Sequence, residues 1–190
     1  MSKTGFLRFC LPLCSGLLSA AAAASPAYDG TSSTGQLVAI ALAEAQAARD
    51  NADDAALSRA LGVLARAGAH PLESWAGPDP VPEWRERVPA AGSPLRGSPL
   101  GPGYRLGQVP AGQSESFEQV FLSGRKASIT IATRDGKPVS LRVTDRDRRV
   151  VCQSGQGSPA CNWVPLFTQR YRIEVRNGGR QKANYYLVVD

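Results

Sequence analysis

The chain has 190 residues, with 22 Lys and Arg against 16 Asp and Glu and a formal net charge of +6. Its one histidine, His70, leaves little material for a histidine-based metal site or a catalytic triad. Residues 25–103 carry six basic and nine acidic side chains, whereas residues 104–190 carry fourteen basic and seven acidic ones. The positive charge therefore belongs to the second half of the chain, where it favours anionic partners.

Residues 1–24 have the pattern of a secretory signal peptide. Lys3 and Arg8 precede an apolar run over 9–18, and small residues follow it. The apolar run is too short to span a bilayer comfortably, so we expect cleavage near Ala24 and a mature chain without a transmembrane segment. The stretch ending at Cys14 matches a lipoprotein acylation site only loosely, since a leucine precedes the cysteine. The sequence thus predicts an exported protein, periplasmic or secreted.

Residues 34–68 form an alanine-rich segment whose apolar residues recur at helical spacing. The pattern breaks over 49–53, where Asp53 is a suitable cap for a second helix, and Gly68 suits the end of that helix. The short break predicts an antiparallel helical hairpin. Facing alanines and leucines bury too little area for the hairpin to be stable alone, so we expect it to dock on the C-terminal half or on another protein.

Residues 69–103 are rich in proline and glycine. Such a composition predicts an extended linker rather than a helix or a central strand. Trp75 and Trp84 stand out within it. Exposed tryptophans can stack on sugar rings, but the pattern favours a role in fastening the linker to a neighbouring domain.

From residue 104 onward the apolar period changes to two. The alternation around Ile129, Leu141 and Ile173 predicts strands with one buried face. The dipeptides Asp135-Gly136 and Asn177-Gly178 mark tight turns between such runs. Seven or eight short strands predict an autonomous antiparallel β-sandwich over 104–190, and so an α+β chain with a hairpin, a linker and a sandwich.

Once the signal peptide is removed, Cys152 and Cys161 are the remaining cysteines. In an oxidising compartment two cysteines predict a disulfide. Its loop of roughly ten residues would be worth about 2–3 kcal/mol. A structural zinc site would need two further soft ligands, and His70 lies far away in sequence, so no metal or cofactor is expected.

Four stretches of the C-terminal half carry a recognisable order of motifs. They read GQVPAGQSESFEQVFL, SITIATRDGKPVSLRVTDRDRRVVC, CNWVPLFTQRYRIEVRNGG and NYYLVV, with a C-x-W-x-P motif at 161–165 and a Y-x-I-x-V-x-N motif at 171–177. In this order residues 104–190 resemble the bacterial pre-peptidase C-terminal domain. The resemblance implies a jelly-roll-like β-sandwich in an exported protein, of a kind that is appended to secreted peptidases and is not their catalytic part.

One strand departs from the pattern of that family. Many members carry an acidic D-x-D-L strand where this chain has residues 139–143, with a serine and an arginine in place of the carboxylates. The resemblance therefore carries over no cation site at this strand. Asp145 and Asp147 form a D-x-D pair that could offer oxygens to calcium, but the arginines that flank them favour locally neutralised surface carboxylates.

The candidate ligand surface consists of Arg142, Arg172 and Arg176. Each occupies the polar phase of a predicted strand, so its side chain should point away from the core. Arginine suits bidentate contacts to phosphate or carboxylate. The sequence thus predicts a non-catalytic envelope protein that binds an anionic glycan, a lipid or a partner protein, with nucleic acid not expected. The alternative is an ordinary solvated surface.

Two other classes of function stay open. An assembly or inhibitor-like protein would dock through the helical hairpin. A hydrolase would have to use His70, yet residues 112–116 do not form a nucleophile elbow around Ser114. Glu83 and Glu86 are a pair of carboxylates in the linker, with nothing evident in the sequence to hold them. The sequence therefore predicts no catalytic residues.

Overall fold

The computed structural model describes residues 33–88, 101–134, 136–154 and 160–190, all of which fall within one unit, Thr31–Asp190. The predicted signal peptide and residues 89–100 of the predicted linker lie outside the described residues. Within the described ranges, no helix is both long enough and apolar enough to cross a membrane.

The predicted helical hairpin is confirmed. Helix α1 runs over Thr34–Asp50 and helix α2 over Asp54–Ala67. The Asp53 carboxylate accepts a hydrogen bond from the Ala56 backbone N–H at 2.9 Å, which satisfies one of the free donors at the start of α2. Gly68 ends α2 in a left-handed conformation, with φ of 63°, a backbone that glycine adopts without steric cost.

In the described part of the chain nine strands form two sheets, which confirms the predicted α+β fold with a largely antiparallel sandwich. Their bounds are β1 His70–Pro71, β2 Gly103–Val109, β3 Ser114–Phe121, β4 Ala127–Thr133, β5 Val139–Thr144, β6 Val150–Gln153, β7 Ala160–Trp163, β8 Gln169–Asn177 and β9 Ala183–Val189. The five-stranded sheet has the order β1-β2-β9-β4-β7, and the four-stranded sheet has the order β3-β8-β5-β6. The short β1 pairs with β2 in parallel.

The five-stranded sheet is covered on both faces. Its inner face meets the four-stranded sheet in a core that includes Ile129 and Leu187. Its outer face meets α1, which packs across β4 and β9 and buries Tyr186 and Val188 together with the helices. The prediction of one buried face is therefore wrong for β4, where Thr130 of the polar phase is 1% exposed because the hairpin lies over it.

The predicted linker contains a helix, α3, over Val81–Arg87. The expectation that this stretch cannot be helical is wrong, because its prolines fall in the first turn, where no intrahelical N–H donor is needed. Trp84 of α3 is 2% exposed against the hairpin, and Trp75 packs edge-on to Tyr104 with ring centroids 6.4 Å apart. The fastening role of the two tryptophans is confirmed, whereas the division of the chain into separate domains stays a prediction.

The structure joins Cys152 to Cys161, with the two Cα atoms 5.7 Å apart. Cys152 lies on β6 of the four-stranded sheet and Cys161 on β7 of the five-stranded sheet. Both strands are at the edge of their sheet. The bridge therefore ties the two layers of the sandwich together.

Candidate ligand surface

The three arginines singled out in the sequence share one sheet. Arg142 lies on β5, and Arg172 and Arg176 lie on the adjacent strand β8 of the four-stranded sheet. All three side chains are exposed, whereas the residues that alternate with them, such as Leu141 and Ile173, are fully buried. We call this exposed side of the sheet the basic face.

The strand register places a carboxylate at the centre of the basic face. Arg142 is directly opposite Glu174, and Glu174 lies between Arg172 and Arg176 on β8. Arg142 is thus a diagonal neighbour of both other arginines, a separation that puts their Cβ atoms about 7–8 Å apart or somewhat less. A second carboxylate, Glu118 of β3, is directly opposite Arg172 and is paired with Arg170. The face therefore carries four arginines against two carboxylates, Glu118 and Glu174.

These guanidinium groups are not engaged within the described residues. An ion pair on the same face joins Arg170 to Glu118 at 3.5 Å, but no such pair involves Arg142, Arg172 or Arg176 in the described ranges. Arg176 faces Ser114 on one side and Ser140 on the other. The donors of the three arginines therefore remain available for an anionic ligand.

The sequence did not predict a second feature, a group of exposed apolar side chains. It lies at the end of the sandwich that carries the connection from β3 to β4 and the connection from β7 to β8. The seven or eight strands predicted from the sequence include a weak one over residues 163–167, but β7 ends at Trp163. The following segment carries Leu166 and Phe167, which are 80% and 71% exposed. A short apolar run does not reveal from sequence whether a core covers it.

A buried polar cluster links the two sheets. Arg105 of β2 forms an ion pair with Glu115 of β3 and stacks over the Phe117 ring, with its guanidinium carbon 3.9 Å from the ring centroid. The Tyr185 hydroxyl donates to Glu115 at 2.9 Å. Burial raises the pKa of Tyr185 above its ordinary value, and the Glu115 carboxylate raises it further while Arg105 opposes the rise. These charges are used to hold the sandwich together.

The residues considered for a hydrolase are not brought together as a catalytic set. His70 lies on β1 beside a cleft that Ser74 also lines, but the Ser74 hydroxyl donates to Gln119, and Nδ1 of His70 has no hydrogen-bond partner among the described residues. Glu83 is held by Arg49 at 2.9 Å, so the expectation that nothing holds this carboxylate is wrong. No nucleophile and base are hydrogen-bonded to one another at these positions.

The Asp145 and Asp147 pair lies in the turn between β5 and β6. Asp145 accepts a hydrogen bond from the Arg149 backbone N–H at 2.8 Å, and Asp147 is 3.9 Å from Arg146. In the described ranges no group of three or more His, Cys, Asp or Glu side chains is placed to hold a metal ion. The contacts of both carboxylates are with the turn itself.

The helical hairpin, the other surface considered for docking, has its apolar side covered. Val38, Leu42 and Leu61 are fully buried between the helices and the five-stranded sheet. Among the described helical residues, Leu37 is the one large apolar side chain that is exposed, at 38%. The hairpin docks on the sandwich and leaves little apolar surface for a partner.

No protein-family model and no curated protein matches the chain. Solved structures are similar to about half of it. The periplasmic inhibitor of g-type lysozyme from Aeromonas hydrophila is 12% identical, with 47% of this chain and 84% of that chain covered and a TM-score of 0.40. The mitogen derived from Yersinia pseudotuberculosis is 7% identical, with 47% and 84% covered and a TM-score of 0.40.

The pre-peptidase C-terminal domain of a collagenase from Bacillus anthracis is also similar. It is 12% identical, with 46% of this chain and 87% of that chain covered and a TM-score of 0.41. At this level the likenesses concern the fold alone.

Proposed function

We propose that the mature chain is an exported, non-catalytic binding protein whose basic face contacts the phosphate or carboxylate groups of an envelope polyanion. The observation that carries the proposal is that Arg142, Arg172 and Arg176 lie together on one exposed sheet face, with no ion pair to any of them in the described ranges. Export is supported by the predicted signal peptide and by the Cys152–Cys161 disulfide, which suits an oxidising compartment.

The shape of the basic face supports an extended ligand over a small molecule. Its arginines project from neighbouring strands of a sheet, and Ser114 and Ser140 flank Arg176 with further hydrogen-bond donors. A planar guanidinium binds a phosphate or a carboxylate in a bidentate manner. A polymer with repeated anionic groups can engage several of these arginines at once, which an isolated anion cannot do.

The electrostatics predict weak, salt-dependent binding. The arginines are exposed, so each contact is screened by water and by dissolved ions. Glu174 partly cancels their field. Binding should therefore be strongest at low ionic strength and should tighten when the charge of Glu174 is removed.

The test is binding of the mature chain to alginate, as a carboxylated glycan, and to inorganic polyphosphate, at low and at physiological salt. The triple change Arg142→Ser, Arg172→Ser and Arg176→Ser should abolish binding at low salt, and Glu174→Gln should strengthen it. A matched control changes Arg59, Arg66 and Arg85 to serine, three exposed arginines of α2 and α3, which lowers the net charge equally. Equal losses in the two triple variants would reduce the effect to net charge and sink the proposal.

The non-catalytic part of the proposal has its own test. We expect pure protein to hydrolyse neither peptide nor ester nor glycoside substrates. Robust hydrolysis that is lost on changing His70 to Ala would overturn it in favour of an enzyme.

A further inference from the structure

The exposed apolar side chains of the molecule are concentrated at one end of the sandwich. Seven large hydrophobic residues are exposed in the described ranges, and one of them, Leu37, belongs to α1. The other six lie at the ends of strands β3 and β6, in the connection from β3 to β4 and in the connection from β7 to β8. They are Val120, Leu122, Val150, Val164, Leu166 and Phe167. We call this set the apolar end.

Hydrogen bonds hold the two connections of the apolar end against each other. The Gly124 backbone N–H donates to the Pro165 carbonyl at 2.8 Å, and the Ser123 hydroxyl donates to the Leu166 carbonyl at 2.7 Å. The Ser123 backbone N–H donates to the Thr168 hydroxyl at 2.9 Å. Leu166 and Phe167 are therefore presented to solvent by a backbone with defined partners.

Positive charge surrounds the apolar end. The adjoining turns carry five basic side chains, Arg125, Lys126, Arg146, Arg148 and Arg149, and two acidic ones, Asp145 and Asp147. The Asp145 carboxylate accepts a backbone N–H within its own turn. In that turn Arg148 has a φ of 64°, which is a left-handed conformation. This conformation costs free energy for most residues that carry a side chain. An arginine is thus held where glycine would fold more easily.

We propose that the apolar end inserts into the headgroup region of an anionic bilayer, with Leu166 and Phe167 entering the acyl boundary and the surrounding cations contacting lipid phosphates. An exposed apolar group flanked by Lys and Arg is the combination that binds such an interface, because burial of apolar area adds to attraction by anionic lipid. The charges also disfavour a second copy of the chain as the occupant, since pairing two apolar ends would bring two basic rims together.

Leu166 and Phe167 lie in the connection from β7 to β8 and not on the basic face, so the two proposals can fail separately. The experiment is co-sedimentation of the mature chain with vesicles of phosphatidylglycerol and phosphatidylcholine, compared with vesicles of phosphatidylcholine alone. We expect binding to the anionic vesicles only. The double change Leu166→Ser and Phe167→Ser should weaken it by about tenfold or more, because two apolar side chains lose their burial.

Two controls separate insertion from surface adsorption. Leu37→Ser removes an exposed apolar side chain elsewhere, and the triple change of Arg59, Arg66 and Arg85 to serine lowers the net charge on α2 and α3; both variants should keep vesicle binding. A Phe167→Trp variant should gain fluorescence that lipids brominated on the acyl chain quench, relative to the wild-type signal. The proposal would be overturned if the wild type did not bind anionic vesicles, or if the Leu166→Ser and Phe167→Ser double variant bound them as well as the wild type. It would also be overturned if brominated lipids did not quench the Phe167→Trp variant.

Discussion

The hydroxyl of Tyr104 lies 3.0 and 3.1 Å from the two carboxylate oxygens of Asp79. Tyr104 belongs to β2, and Asp79 precedes α3, whose Val81 N–H it also accepts at 3.1 Å. One carboxylate thus fastens the proline-rich segment to the five-stranded sheet and satisfies a free N–H at the start of its helix. Burial raises the pKa of Tyr104 above its ordinary value, and the negative charge and hydrogen bond of Asp79 raise it further.

We predict that the protein loses stability at alkaline pH through Tyr104 and Tyr185, whose pKa values are both raised by burial in the folded state. In the unfolded chain a tyrosine ionises at about pH 10. The two tyrosines therefore contribute their full stabilisation below that pH, and this stabilisation is lost as the pH rises toward their pKa values in the folded state. Each tyrosine should contribute a slope of up to about 1.4 kcal/mol per pH unit. Urea unfolding measured from neutral pH upward checks this.

The matched variant for this test is Tyr104→Phe. It should be less stable than the wild type at neutral pH, because Asp79 loses the hydrogen bond from the Tyr104 hydroxyl. Its free energy of unfolding should also fall less steeply above pH about 10. If the free energy of unfolding fell equally steeply with pH in both proteins, ionisation of Tyr104 would not be a cause of the loss of stability at alkaline pH.

The disulfide should stabilise the sandwich even though it closes a short loop. Cys152 and Cys161 are nine positions apart and lie on edge strands of different sheets. Changing both to serine should lower the free energy of unfolding by about 2–3 kcal/mol in the chain-entropy account. Chemical denaturation with and without a reductant measures the effect. The serine variant is the control, and a response of that variant to reductant would contradict the assignment.

Local pattern was sufficient for the elements whose partners are close in sequence. The hairpin was predicted because Asp53 and Gly68 are cap residues at the right distance from apolar helical stripes. The β8 strand was predicted because Tyr171, Ile173 and Val175 alternate with charged residues. The outward direction of Arg142 and Arg172 followed from the same alternation, but their common sheet did not, because strand order depends on long-range pairing.

The predictions that failed depend on what covers a residue. Thr130 is polar and in the outward phase of β4, yet it is buried because α1 lies over it. Helix α3 was missed within the proline-rich segment, and its Trp84 packs against a hairpin that lies more than a dozen residues earlier in the chain. Phe167 is apolar but exposed. Burial by distant segments leaves no local signature in the sequence.

The helical hairpin packs on the five-stranded sheet, which in turn packs on the four-stranded sheet. We therefore predict that the hairpin and the sandwich unfold together. A fragment of residues 104–190 would expose Tyr104, Tyr186 and Val188, which the helices bury in the whole chain. We expect the full mature chain to unfold in one transition and the fragment to be less stable and more prone to associate. Circular dichroism and calorimetry of both check this. A fragment as stable as the full chain would instead support the prediction of an autonomous domain at 104–190.

A single glycine should stabilise the hairpin turn. Ala52 lies between α1 and α2 with a φ of 55°, a left-handed conformation that alanine adopts at a cost of about 1 kcal/mol. Ala52→Gly should raise the free energy of unfolding by up to about 1 kcal/mol, less the entropy that glycine adds to the unfolded chain. Ala55→Gly is the matched control, since this exposed residue lies within α2 and should destabilise by about 1 kcal/mol. Thermal unfolding measures both effects. Melting temperatures that shift in the same direction in the two variants would contradict the prediction.

The Arg105 and Glu115 pair should be worth more as a pair than either residue alone. The Arg105 side chain is 10% exposed, so removing Glu115 leaves a cation that water reaches poorly, whereas Glu115 is 35% exposed and stays partly hydrated when Arg105 is removed. Glu115→Leu should therefore cost about 3 kcal/mol and Arg105→Met less, whereas the double change should cost much less than their sum. Arg105→Lys should also destabilise, because lysine cannot keep both the ion pair and the planar stack on Phe117. A double-mutant cycle by urea unfolding measures the coupling, and additive single effects would mean that the pair contributes nothing beyond its separate side chains.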